Sequence, residues 1–162
     1  MEFEGQLNED DMVRAFHLHS RDQFRKAAKF LFTVCAFILI IQVWLPPPRL
    51  WHIGIALGGP ALMLYYRHLL VPRLLRKEFR QNVVYGSPFR TEVDDSGFVT
   101  VQHNDQHKRS WPEIRGWRED GNYFLLYESD HVYGVLPKRY LKNEVETEEL
   151  RALLSAKIGK KM

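Results

Sequence analysis

Between residues 30 and 66 the chain carries one charged side chain, Arg49, although charged residues make up 27% of the whole. Apolar runs of this length must be hidden from water, and the polar remainder is too small to enclose two apolar helices. The expected solvent is therefore a bilayer. The mean hydropathy of -0.34 averages over this segregation and does not reveal it. A net charge of +3, with its basic residues gathered beside the apolar runs and no interleaved aromatics, gives no reason to expect a nucleic-acid partner.

The run divides at Pro46, Pro47 and Pro48, which cannot continue a helix. Segment one, residues 27–45, would reach about 28 Å against a hydrocarbon core of about 30 Å. Lys29 can snorkel at one end, and Gln42 and Trp44 mark the other interface. Segment two, residues 50–70, opens on Trp51 and closes on Tyr65 and Tyr66, and is weakened by His52, Gly58, Gly59 and Pro60. A connection this short makes the two segments antiparallel. Gly54 and Gly58 stand four apart, a spacing that suits close packing on segment one or a homodimer through the hairpin. Arg21, Arg25, Lys26 and Lys29 precede the pair, and Arg67, Arg73, Arg76, Lys77 and Arg80 follow it. Positive residues stay inside, so both termini are expected in the cytoplasm, with no cleavable leader. The single cysteine, Cys35, lies within segment one, reads as a small buried hydrophobe, and excludes an internal disulfide.

The flanks read as cytoplasmic. Residues 1–26 form a short extended piece and then a helix capped by Asn8, with Glu9, Asp10 and Asp11 at its positive end and an apolar stripe of Met12, Phe16 and Phe24. Residues 71–88 form a basic amphipathic helix and linker, where Arg73, Arg76, Lys77 and Arg80 either touch anionic lipid or only set topology.

From residue 89 to 162 the period changes to two. Six candidate strands are separated by turn sequences at Asp95-Ser96-Gly97, Asn104-Asp105-Gln106 and Asp120-Gly121-Asn122. A last helix starts near Asn143 with Glu146 as its capping partner and Leu150, Leu153, Leu154 and Ile158 on one face. The pattern predicts a small antiparallel barrel of pleckstrin-homology-like form with a closing C-terminal helix, and, with the hairpin, an α+β membrane protein.

Three stretches carry a family resemblance: Ser110-Trp111-Pro112-Glu113-Ile114, Tyr123-Phe124-Leu125-Leu126-Tyr127 and Leu136-Pro137-Lys138-Arg139-Tyr140-Leu141. Together they resemble the C-terminal domain of YcxB-like bacterial membrane proteins. The resemblance implies a bacterial inner-membrane location and a pleckstrin-homology-like domain, and it implies no activity.

No catalytic constellation assembles. Asp105, His107 and Ser110 fall on one hairpin, where alternation splits them between faces. His103 and His107 lack further ligands for a metal, and His17 and His19 point from different faces. No enzyme, cofactor or metal is expected. Lys138 and Arg139 have two readings: contact with a lipid headgroup or acidic partner, or ion pairs that hold the domain closed, the second being preferred. The expected function is a non-enzymatic inner-membrane protein presenting an interaction module, with lipid and an unidentified protein as partners. The alternative is an immunity-type protein that neutralises a membrane-acting toxin. Polar Thr33, Gln42 and His52 are too few to suggest a pore.

Overall fold

The computed structural model describes residues 1–44, 50–103 and 105–159. The Pro46-Pro47-Pro48 turn, Arg49 and Asn104 lie outside the described residues, as do the side chains of Gln42, Trp44 and His52. In chain order the elements are β1 (Glu2–Gln6), α1 (Glu9–His19), α2 (Arg21–Trp44), α3 (Leu50–Tyr65), a π-helical turn (Tyr66–Leu70), α4 (Val71–Gln81), β2 (Pro88–Val93), β3 (Gly97–Gln102), β4 (Asp105–Ser110), β5 (Gly116–Glu119), β6 (Tyr123–Tyr127), β7 (Tyr133–Pro137) and α5 (Glu144–Lys157). They form two units, one of Met1–His19 with Arg76–Met162 and one of Ser20–Leu75.

In the first unit the strands make two antiparallel sheets, ordered β1-β2-β3-β4 and β5-β6-β7. The expected antiparallel strands are thus present as two sheets that share one core with α5. The break falls at Trp111–Glu113, a 3-10 turn whose Pro112 has no N–H to continue a ladder. The extended N-terminal piece is not a separate segment but the edge strand of the larger sheet, with Phe3 opposite Thr91. Gly97 turns β2 into β3 at φ 152°, and a side chain there would begin 2.0 Å from the Arg109 carbonyl oxygen, so only glycine fits. Asp94 accepts from the N–H groups of Ser96 and Gly97 and fixes the same turn.

The main core joins Phe89, Val93 and Phe98 of the first sheet, Trp117, Phe124 and Leu136 of the second, and Leu150 and Leu154 of α5. Asn143 caps α5 by accepting from the Glu146 N–H at 2.8 Å, as the sequence suggested. The second sheet is buried on both sides. Its other face, Tyr123, Leu125 and Tyr127, packs against Ala15 and Leu18 of α1. The buried residues of α1 are Asp11, Val13, Ala15 and Leu18, of which Asp11, Ala15 and Leu18 share one face, and the expected Met12–Phe16–Phe24 stripe is only partly buried. The helix ends at His19, and Phe24 belongs to α2 and the other unit.

In the second unit α2 and α3 pack together, with Cys35 and Ala56 buried. The expected transmembrane hairpin is not present: among the described residues no helix is long and apolar enough to cross a membrane. Helix α3 has 16 residues, about 24 Å, before the backbone loosens into the π-helical turn holding Arg67 and His68. Helix α2 has 24 residues, but Arg21, Asp22, Arg25, Lys26 and Lys29 occupy its first part. Its charge-free stretch with described side chains covers residues 30–41, about 18 Å. The fold class therefore loses its spanning helices, and the multi-pass inner-membrane location and the topology read from flanking charges fall with them. Within this unit the Arg67 guanidinium lies 4.1 Å from the Phe24 ring centroid and donates an N–H to the Ser20 hydroxyl.

Candidate functional site

The first turn of α1 organises the polar groups of the sheet unit. Asp11 is 1% exposed and receives four hydrogen bonds. Arg139 donates one to each carboxylate oxygen, at 2.6 and 2.5 Å, the Tyr123 hydroxyl donates at 2.8 Å, and the Asn8 N–H at 2.8 Å. Burial pushes the Asp11 carboxyl up, but the Arg139, Asn8 and Tyr123 donors outweigh it and hold the group below the ordinary carboxylate range. Burial, then the adjacent carboxylate, pushes the Tyr123 phenol up. Asp10 and Glu9 take the next two arginines, Arg76 and Arg80 of α4, each at 3.0 Å. Three consecutive acids thus hold three arginines from two distant parts of the chain. Capping alone had been their expected role. Asn8 does cap the helix, accepting from the Asp11 N–H at 2.9 Å.

Lys138 and Arg139 diverge from the end of β7. The Lys138 ammonium donates at 2.6 Å to Glu119 of β5, lies 4.9 Å from the Phe124 ring centroid, and shares Glu119 with Arg151 of α5. Arg139 goes to Asp11. Both candidate ligand-binding cations are thus engaged within the unit, as are Arg76 and Arg80, whereas Arg73 and Lys77 are exposed. In the helical unit, among the described residues, no other part of the chain comes within 4 Å of where a side chain would begin at Gly54 or Gly58. The close approach is at Gly59 instead, 3.4 Å from a Leu31 methyl. Ser110 caps the 3-10 turn through a 2.7 Å bond from its N–H to Glu113, and Asp105 and His107 lie on the opposite face of β4. Among the described residues no group of three metal-ligating side chains converges.

What the sequence did not reveal is a cleft of about 500 Å³ in the sheet unit. Its floor includes Phe89, Thr91, Thr100 and Gln102 of the larger sheet and its wall includes Gly134 and Val135 of β7. Thr91 and Thr100 are opposite each other across the β2–β3 ladder and share one hydrogen bond of 2.9 Å. Gln102 donates to the carbonyls of Val84 and Ser87. At the rim Arg109 of β4 is ion-paired with Glu128 beyond β6, which neutralises both charges. The strand periodicity pointed to the inward faces, but a cleft depends on how far two sheets splay, and no local signal carries that. The volume lies within the range of small-ligand and peptide pockets, about 300–1,000 Å³.

No curated protein and no solved structure matches the chain. Residues 93–154, from the last residue of β2 into α5, match the family model described as YcxB-like protein, and this match supports the family read from the motifs around Trp111, Tyr123 and Pro137.

Proposed function

We propose that this is a non-enzymatic interaction protein, in which the sheet unit recognises a protein partner and the helical unit attaches to lipid through side chains. The observation that carries the reading is the helical unit's apolar surface. Phe30 is 73% exposed and Leu62 67%, and Phe32, Phe37, Ile40, Ile55 and Leu57 are exposed with them. Apolar patches beyond a few hundred Å² mark interaction surfaces on folded proteins. Attachment to a lipid surface needs exposed apolar side chains with nearby cations, not a helix of spanning length. The absence of chemistry is supported from the other unit, where the buried acids Asp11 and Glu119 are saturated by Arg139, Lys138 and Arg151.

The test is flotation of the full chain with phosphatidylglycerol–phosphatidylethanolamine vesicles, beside a variant carrying Phe30→Ser, Phe37→Ser, Leu57→Ser and Leu62→Ser. The reading expects vesicle binding by the natural chain and at least a tenfold loss in the variant. A chain that stays off vesicles and sediments as a dimer would put a second copy on that surface instead. A stoichiometric toxin recovered with it would favour the immunity-type alternative.

A further inference from the structure

The cleft runs along a strand edge. In β6–β7 the register places Tyr127 opposite Tyr133, Leu125 opposite Val135 and Tyr123 opposite Pro137. Just beyond the paired strands the Glu128 N–H donates to the Val132 carbonyl and the Lys138 N–H to the Asn122 carbonyl. Hydrogen-bonded and non-hydrogen-bonded pairs alternate in an antiparallel ladder. The bonded pairs are therefore 128/132, 126/134, 124/136 and 122/138. It follows that the backbone N–H and C=O groups of Tyr133 and Val135 point away from β6. β7 is the last strand of its sheet, and among the described residues these groups have no other backbone partner. Two donor–acceptor pairs thus stand about 7 Å apart on an open edge.

That edge borders the apolar cleft. Gly134 and Leu136 line the cleft from the core side of β7, and Tyr133 and Val135 from its α1 side. A space lined from both faces of one strand follows its edge. Among the described residues a Cβ at Gly134 would meet no neighbour within 4 Å, so the cleft is open where a partner's side chain would enter. The rim charges, Arg109 and Glu128, are paired with each other, which favours an occupant that is uncharged where it lies in the cleft. An acyl chain could fill such a space but could not satisfy the edge amides and carbonyls.

We propose that β7 is a docking edge for an extended, uncharged peptide segment of a partner protein, which adds as a strand through the Tyr133 and Val135 backbone and places alternate apolar side chains in the cleft. Main-chain bonds would supply affinity and the cleft would supply selectivity. This deepens the partner-recognition half of the proposed function and is independent of lipid attachment, because peptide titration and vesicle flotation fail separately.

The probe is the peptide acetyl-Lys-Val-Thr-Val-Thr-Val-Lys-amide, titrated into the full chain with amide hydrogen exchange as readout. Saturable binding is expected, with new protection at the Tyr133 and Val135 N–H groups. Two variants and one control peptide sharpen it. Val135→Pro removes an edge N–H that makes no bond to β6, so the ladder is retained while binding falls at least tenfold. Gly134→Leu fills open space in the cleft, so the fold is kept and binding falls likewise. N-methylation of alternate residues of the peptide should abolish binding. No saturable binding by the natural chain overturns the proposal. Equal binding of the N-methylated peptide also overturns it, since the cleft would then be a side-chain or lipid-type pocket. Unchanged binding in both folded variants would place the peptide elsewhere and overturn it too.

Discussion

The two units treat the same residue types in opposite ways. In the sheet unit Phe124, Leu125, Leu150 and Leu154 have no solvent exposure, whereas in the helical unit Phe30, Phe37, Leu57 and Leu62 stand in the open. The difference is geometric. Two stacked sheets and a covering helix bury several faces against one another, and β6 is enclosed on both sides. Two helices can each bury one stripe against the other, and here the residues of α2 and α3 that are buried are small, Cys35 and Ala56. Apolar composition therefore states a demand for burial, and layer number decides whether the chain itself can meet it.

The largest expected effect tests the sheet unit. Phe124→Ala should cost about 3–5 kcal/mol, the range for removing a buried aromatic side chain, and denaturant unfolding of that unit measures it. A cost below about 1 kcal/mol would mean that the core near α5 relaxes freely.

A smaller effect is expected at the α1 tie. Asp11→Asn should cost about 2 kcal/mol, because it removes the charge of a buried, four-donor site while its partner Arg139 remains 43% exposed and partly solvated. The sign of the pH dependence follows from the lowered Asp11 carboxyl. The unfolded state takes up its proton near the ordinary value of about 3.9, and the folded state only at lower pH. The stabilisation is thus fully present above about pH 5 and is lost as pH falls through the folded-state value. Acid unfolding of Asp11→Asn should lack this component, and an unchanged acid limb would remove Asp11 from the account.

The smallest effect belongs to the helical unit. Phe30→Ala should change the stability of the dilute protein by no more than about 0.5 kcal/mol, as for exposed sites generally. A loss comparable to that of a core residue would show that a second copy or another partner already covers this side chain in solution.

Much of the local structure was legible. The six strands from β2 to β7, the Asn8 and Asn143 caps, and the buried Leu150–Leu154 face of α5 each rest on signals within a few residues. The membrane hairpin was misread because apolar content was counted through residues 66–70, where the helix changes form around Arg67 and His68. The functional groups were harder. Nothing local shows that Glu9, Asp10 and Asp11 meet Arg80, Arg76 and Arg139, since those partners lie 71, 66 and 128 residues away.

By itself, then, the sequence determined the alternation of the strands, the capped helix starts at Asn8 and Asn143 and the concentration of apolar side chains between residues 30 and 66, because each depends on backbone geometry and neighbours a turn or a strand away. Only the tertiary structure decided that residues 2–6 complete the larger sheet, that the strands divide into sheets of four and three, and that the edge of β7 opens on a cleft. Those outcomes depend on pairings between distant segments, whose partners are chosen by the packing of the whole unit and leave no periodicity to read.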